Sequence, residues 1–170
     1  MTKTLSLLVN LQSIFLSGVL SFILFFPLTE AAAKRPPEIR NQDELNISQD
    51  MHGKDLSGLE FVKFDLKGIN FSESDLSGSV FNNSKLKGAD LHGADMRDAL
   101  AYASDFEDAD LREVNFSNAL LMESSFKNAR IEGADFTDAV ISRIQQKELC
   151  SMASGTNSRT EEDTSYSLGC

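Results

Sequence analysis

The chain has 170 residues, and its 26 acidic against 16 basic residues give a formal net charge of −10. This length fits one domain with appendages, and the strong acidity argues against binding to nucleic acid or to an anionic membrane.

Residues 1–33 have the pattern of a secretory signal peptide. Lys3 supplies the positive start, an apolar stretch follows and is purest from Ile14 to Phe26, and Pro27 breaks it. Ala31-Ala32-Ala33 offers the small residues of a cleavage site. We expect cleavage after Ala33 and export by the general secretory route. The alternative is an uncleaved membrane anchor, because the stretch could just span a bilayer.

Residues 34–53 form a polar lead-in to the remainder of the chain. Pro36 and Pro37 can open a short helix through Glu38–Leu45. We expect this segment to cap the N-terminal end of the domain that follows.

Residues 54–143 carry a repeat of five residues. From Leu56 to Ile141 a large apolar residue occupies 17 of 18 consecutive fifth positions, and Ala101 is the exception. A period of five fits neither an α-helix nor a flat strand, but it fits a solenoid in which each unit is one short side with its centre pointing inward. Residues two before each centre are mostly Ala or Ser, which suits a second inward position. Gly or Asn often stands two after the centre and predicts corners there.

The residue before each centre gives the number of sides per coil. It is normally polar, yet it is aliphatic at four places spaced by twenty residues. This spacing predicts a square coil of four units, and eighteen units make about four and a half coils. The same outer face carries Val62 and a candidate interaction stripe, whose members are Val80, Leu100, Tyr102, Leu120, Met122 and Val140. Such a patch should not face water unoccupied, so we expect either the chain's own tail or a partner or second copy to cover it.

Residues 144–170 should form a C-terminal capping helix and a tail. Ser142 and Gln145 have the spacing of a capping box at the start of a helix. Cys150 and Cys170 are the only cysteines, and in an exported protein a structural disulfide is the default. A redox-switching thiol pair and two free thiols are the alternatives.

No constellation of residues in the sequence points to catalysis. His52 and His92 lie in outward or flanking positions, and the repeated Asp residues lack a calcium-binding pattern. The sequence contains no phosphate loop, nucleophile elbow or Cys-x-x-Cys motif. We therefore expect no enzyme activity, no metal and no cofactor.

The units resemble those of the pentapeptide-repeat family, which read A-(D/N)-L-x-x. The best copies are residues 89–93, 94–98 and 109–113. The resemblance implies an all-β solenoid, a right-handed quadrilateral β-helix, to which the sequence adds short helical caps. The runs 149–157 and 167–170 are similar to the C-terminal signature of thylakoid-lumen members from cyanobacteria and chloroplasts. That similarity implies a location in the thylakoid lumen or periplasm, and the family offers no catalytic residues to carry over.

Three functions follow as hypotheses. The first is a non-enzymatic lumenal or periplasmic scaffold that binds an unknown protein partner, with no nucleic acid and no membrane insertion after signal cleavage. The second is a redox-responsive protein that switches through Cys150 and Cys170. The third is a DNA mimic that binds topoisomerase, as the family resemblance allows for acidic members, and export from the cytoplasm opposes it.

Overall fold

The computed structural model describes residues 47–170. The expected signal peptide at 1–33 and the expected helix at Glu38–Leu45 lie outside the described residues. Within the described part, two helices are formed, α1 at Arg143–Cys150 and α2 at Thr164–Ser167. The strands are single bridge residues, and each parallel bridge joins residues twenty positions apart. Four ladders of such bridges begin at Asp50, Asp55, Glu60 and Asp65.

A tight turn follows every repeat centre. In the unit centred on Phe71, for example, the N–H of Ser74 donates to the Phe71 carbonyl at 3.1 Å, and Glu73 has a φ of 57°. A single positive φ at the third turn residue is the geometry of a type II turn. Positive φ recurs at every fifth residue from Gly53 to Asp138. The sequence-predicted corners at Gly and Asn are therefore confirmed, and Lys, Glu, Asp and Ala adopt the same conformation at the other corners.

Stacked apolar centres make up the core. The rings of Phe61 and Phe81, twenty residues apart, stack with centroids at 4.7 Å, and Phe116 stacks on Phe136 at 5.3 Å. All four rings are buried, and burial of such a side chain contributes about 1.5–3 kcal/mol. Ala101, the lapse in the apolar series, is also fully buried.

A ladder of serine hydroxyls runs inside one corner of the coil. Ser84 donates to the Phe61 carbonyl, Ser104 donates to the Phe81 carbonyl at 2.7 Å, and Ser124 donates to the Ala101 carbonyl. Each hydroxyl thus joins consecutive coils and adds a hydrogen bond to a carbonyl inside the coil.

Gln145 on α1 completes this ladder. Its side-chain Nε2 donates to the Leu121 carbonyl at 2.8 Å and to the Ser124 carbonyl at 2.9 Å. Its Oε1 accepts from the N–H of Ser142, whose hydroxyl accepts from the Gln145 N–H in return, so the sequence-predicted capping box is present. Gln145 therefore takes the place of the next serine and fixes α1 on the last coil.

The tail after α1 lies against the last coil at a different side. Asn157 is buried, and its Nδ2 donates to the carbonyls of Gly133 at 2.8 Å and Glu113 at 3.2 Å. The N–H of Phe136 donates to the Ser167 hydroxyl at 3.1 Å. These contacts hold the tail against the last coil.

Candidate interaction surface

The central column of the stripe is one of the four bridge ladders. Val80, Leu100, Leu120 and Val140 are joined in series by parallel bridges, so their side chains stand in one line at roughly 4.8 Å intervals. Leu100, Leu120 and Val140 are 36–42% exposed. Their outward direction follows from their position before an inward centre, because neighbouring residues of an extended chain point to opposite sides.

A second column lies beside the first, two residues further along each unit. Val62, Tyr102 and Met122 belong to it, and each is about 40% exposed. The N–H of Tyr102 is held by the Asn82 side chain at 2.9 Å. A hydrogen bond to Glu123 raises the pKa of the Tyr102 phenol above its ordinary value. The six candidate residues thus share one face with Val62.

Acidic residues border this face. Asp98 and Asp138 stand two residues before Leu100 and Val140, and Glu123 stands at the corner after Met122. All three side chains are exposed. The face is therefore an apolar stripe whose border carries three acidic side chains beside Leu100, Met122 and Val140, and Lys63 at the equivalent corner after Val62.

The expectation that the chain's own C-terminal tail covers the stripe is wrong. The tail makes its contacts at Glu113, Gly133 and Phe136, which belong to other sides of the coil. The stripe keeps its exposure because α1 and the tail turn away from it. Within residues 47–170, Val80 is half-buried and the other large apolar side chains of this face are exposed to solvent.

The repeated Asp and Asn residues serve the backbone. The Asp90 carboxylate accepts from the N–H of His92 at 3.0 Å, and the Asn115 side chain accepts from the N–H of Ser117 at 3.0 Å. The same bond recurs in many units and holds each turn in place. Asx bonds of this kind explain the abundance of Asp without a ligand. Among the described residues, no group of three or more His, Cys, Asp or Glu is placed to hold a metal ion.

Asp110 and Asp135 are the buried carboxylates of this series among the described residues, and Asp110 is paired with two arginines. Burial acts to raise its pKa, but hydrogen bonds from Arg112 and the charges of Arg112 and Arg130 outweigh burial and lower the pKa below its ordinary value. Arg112 Nη2 lies 2.8 Å and Arg130 Nη2 2.5 Å from Asp110 Oδ2. The group joins two successive coils by charge.

The histidines and inward serines have structural contacts. His52 Nδ1 lies 2.9 Å from the Ser72 hydroxyl, and His92 Nδ1 lies 3.8 Å from Glu73. The two histidines lie two coils apart on the same side and share no partner in the described structure. The buried serines bond to carbonyls, as Ser74 does to Phe71 at 2.6 Å.

Cys150 and Cys170 form a disulfide. It joins the last residue of α1 to the end of the chain, with Cα atoms 5.7 Å apart. Cys170 is exposed and Cys150 is half-buried. The bond closes the tail into a loop against the last coil.

Sequence reasoning missed two residues that hold the C-terminal segment. Gln145 was recognised for its capping box, but its bonds to two carbonyls were not foreseen. The serines at 84, 104 and 124 carry a period of twenty that points to position 144, one residue away. Asn157 has no comparable signal, because it belongs to no repeat.

Comparison with known proteins places the chain in a family. The sequence matches the family of Pentapeptide repeats, in 8 copies, over residues 65–100 and 103–143. It is 38% identical to a pentapeptide-repeat protein from the thylakoid lumen of Arabidopsis thaliana, over 70% of this chain and 90% of that one, with a TM-score of 0.29. It is 24% identical to HetL, a pentapeptide-repeat protein involved in heterocyst differentiation regulation in Nostoc sp. strain PCC 7120. That match covers 54% of this chain and 41% of HetL, with a TM-score of 0.38. No curated protein sequence matches significantly.

The chain belongs to the pentapeptide-repeat family. Membership rests on the repeat match and on the sequence identity with the Arabidopsis protein. Pentapeptide-repeat proteins fold as right-handed quadrilateral β-helices, in agreement with bridges that join every fourth unit here. They are generally non-enzymatic structural or interaction proteins. None of the helices in the described part is long and apolar enough to cross a membrane.

Proposed function

We propose that this protein is a non-enzymatic scaffold that binds another protein through the stripe Val80, Leu100, Tyr102, Leu120, Met122 and Val140. The β-helix at 54–143, of about four and a half coils by the repeat count, supplies a rigid support. The lead-in at 34–53 and the segment 144–170 cap its two ends, and residues 1–33 direct export.

The observation that carries this proposal is the alignment of the exposed apolar side chains. Isolated exposed apolar residues are common on protein surfaces, but an aligned apolar patch with a polar rim is typical of an interaction site. The column through Leu100 and Leu120 is held by backbone bridges, so a partner would meet a surface that is already ordered. Ordering before binding reduces the entropy that association costs.

The rim indicates the chemistry of the partner. With Asp98, Asp138 and Glu123 around the stripe, a partner should present an apolar patch bordered by Lys or Arg. A partner with an acidic rim would be repelled by the same charges and by the net charge of −10.

The thylakoid lumen or the periplasm is the proposed location. The apolar leader ending in Ala31-Ala32-Ala33 supports export, and the disulfide suits an oxidising compartment. The Arabidopsis protein of 38% identity comes from the thylakoid lumen. Detection of the intact leader on the mature protein would contradict cleavage after Ala33.

A photo-crosslinking amino acid placed at position 120 tests the stripe. Ser125 provides the matched control, because it is exposed, precedes an inward centre in the same coil and lies on the next side. We expect a discrete adduct with one protein from intact cells at position 120, none at 125, and loss of the adduct when Leu100→Asp is added. Equal adducts at both positions, or none at position 120, would refute the proposed surface.

A second candidate function is supported by the exposure of Cys170. Because Cys170 is an exposed residue and Cys150 is half-buried, the bond lies near the surface within reach of a dithiol reductant, and its state can report the redox state of the compartment. Titration of the bond against a thioredoxin-type dithiol buffer measures its potential. A potential far below that of such carriers leaves the bond permanently oxidised and removes this function.

A further inference from the structure

The last coil lacks a following coil to pair with. In the interior, the N–H of Gly93 donates to the Arg112 carbonyl at 2.9 Å, and the N–H of Phe116 donates to the Asp135 carbonyl at 2.7 Å. Residues at the equivalent positions of the last coil, Gly133 and Phe136, would have unpaired donors if the helix simply ended. Such an edge is a template for an added strand.

The tail occupies this edge. The N–H of Gly133 donates to the Ser154 carbonyl at 2.8 Å, and the N–H of Phe136 donates to the Ser167 hydroxyl. Asn157 adds the bond from its Nδ2 to the Gly133 carbonyl. Residues 154–167 therefore stand where the next coil would stand, although they carry no repeat.

Close packing and the disulfide hold the tail in this position. Gly155 has a φ of +81°, and a Cβ there would lie 3.0 Å from the Gly133 nitrogen, so any larger residue would be strained and would crowd that backbone. Leu168 is buried in the core cluster. After Leu168, Cys170 forms the disulfide with Cys150 and so links the tail covalently to α1.

We propose that residues 154–170 are a strap that blocks the edge of the last coil, and that reduction of Cys150–Cys170 opens it for pairing with a second copy of the chain. A dithiol gives two electrons and two protons to the bond and becomes a disulfide itself, while Cys150 and Cys170 become thiols. The strap then gains the conformational freedom that the closed loop denies it. This inference specifies the second candidate function and is independent of the stripe.

We expect the freed edge to bind a second copy of the chain, because every reduced chain exposes the same edge. Two identical edges can pair about a two-fold axis, which closes the assembly at a dimer. The freed edge carries the N–H donors of Gly133 and Phe136 and the Gly133 carbonyl that Asn157 releases, and it also uncovers apolar centres near Phe136. Both features favour strand pairing over solvation.

Amide hydrogen exchange and light scattering test the strap on the full mature chain. On reduction we expect the amides of Gly133 and Phe136 to exchange on the order of 100-fold faster, as loop closure over twenty residues predicts. Gly93 and Phe116, at equivalent positions in the interior, are the matched control amides and should not change. In light scattering, the molar mass should rise from that of a monomer to that of a dimer as the protein concentration increases. We expect this rise only in the reduced sample.

Two variants separate the strap from the chemistry of the reductant. Cys150→Ser with Cys170→Ser should reproduce the reduced behaviour without reductant, and Asn157→Ala should speed the same amides with the disulfide intact. Unchanged exchange at Gly133 and Phe136 on reduction overturns the strap. Equal acceleration at the control amides overturns it too, since the whole rod would then be opening. Faster exchange in a chain that stays monomeric overturns pairing with a second copy and leaves the stripe unaffected.

Discussion

Replacing Gln145 by Glu tests the idea that α1 continues the internal hydroxyl ladder. The side chain is only 7% exposed, and Nε2 donates to two carbonyls at 2.8 and 2.9 Å. The new carboxylate keeps the shape and can still accept from the Ser142 N–H. It loses both donors and places negative charge beside two carbonyl oxygens.

The magnitude follows from these contacts. Each buried hydrogen bond contributes about 0.5–1.5 kcal/mol, and a carbonyl left unsatisfied costs about 1–3 kcal/mol. The variant loses two buried bonds, but only the Ser124 carbonyl is left unsatisfied, because the Leu121 carbonyl still accepts from the Ser124 N–H at 3.2 Å. Gln145→Glu should therefore be less stable by about 3 kcal/mol at neutral pH. At roughly 2–4 °C per kcal/mol for a chain of this size, the melting temperature should fall by about 10 °C.

Thermal unfolding followed by circular dichroism measures this change, and Gln146→Glu is the matched control. Gln146 is half-buried and makes one side-chain bond, from Nε2 to the Leu168 carbonyl at 2.7 Å, so its loss should be about a third as large. Protonation of the new carboxyl restores one hydrogen-bond donor, so the difference in melting temperature between Gln145→Glu and the unaltered protein should become smaller as the pH falls. A Gln145→Glu protein that melts no lower than the Gln146→Glu protein would refute the ladder.

Three further changes probe the tail and the rod. Thr164→Val should stabilise the protein by about 1 kcal/mol in urea unfolding, because the buried Thr164 hydroxyl has no hydrogen-bond partner in the described structure. Gly155→Ala should speed amide hydrogen exchange at Gly133, because the alanine Cβ would crowd the Gly133 backbone and residue 155 has a positive φ. Unchanged exchange would contradict the close packing of the strap at this point. Asp110→Asn should reduce acid sensitivity: the lowered pKa makes the carboxylate stabilising above about pH 4, and that stability is lost as pH falls through the folded-state pKa. The prediction would be contradicted if the free energy of unfolding fell equally steeply with decreasing pH in the unaltered protein and in Asp110→Asn.

The stripe could be predicted as a surface but not as an uncovered one. Four of its six members stand directly before a centre and two directly after one, and each set repeats at a spacing of twenty, so both are local properties of the repeat. Whether the tail lies over Leu120 depends on contacts such as Asn157 with Glu113, at a separation of 44 residues. Those contacts are made by single residues that belong to no repeat, so no sequence pattern predicts them.

The sequence by itself determined the inward series, the corners and the coil of four units. The reason is repetition: each unit states the same preference, and eighteen agreeing units outweigh exceptions such as Ala101. Only the tertiary structure decided that Glu73 and Ala103 take the left-handed corner conformation, because stacking against neighbouring coils overrides their local preference. It also decided where the tail lies, since Gln145 and Asn157 find their carbonyl partners only after the last coil has formed.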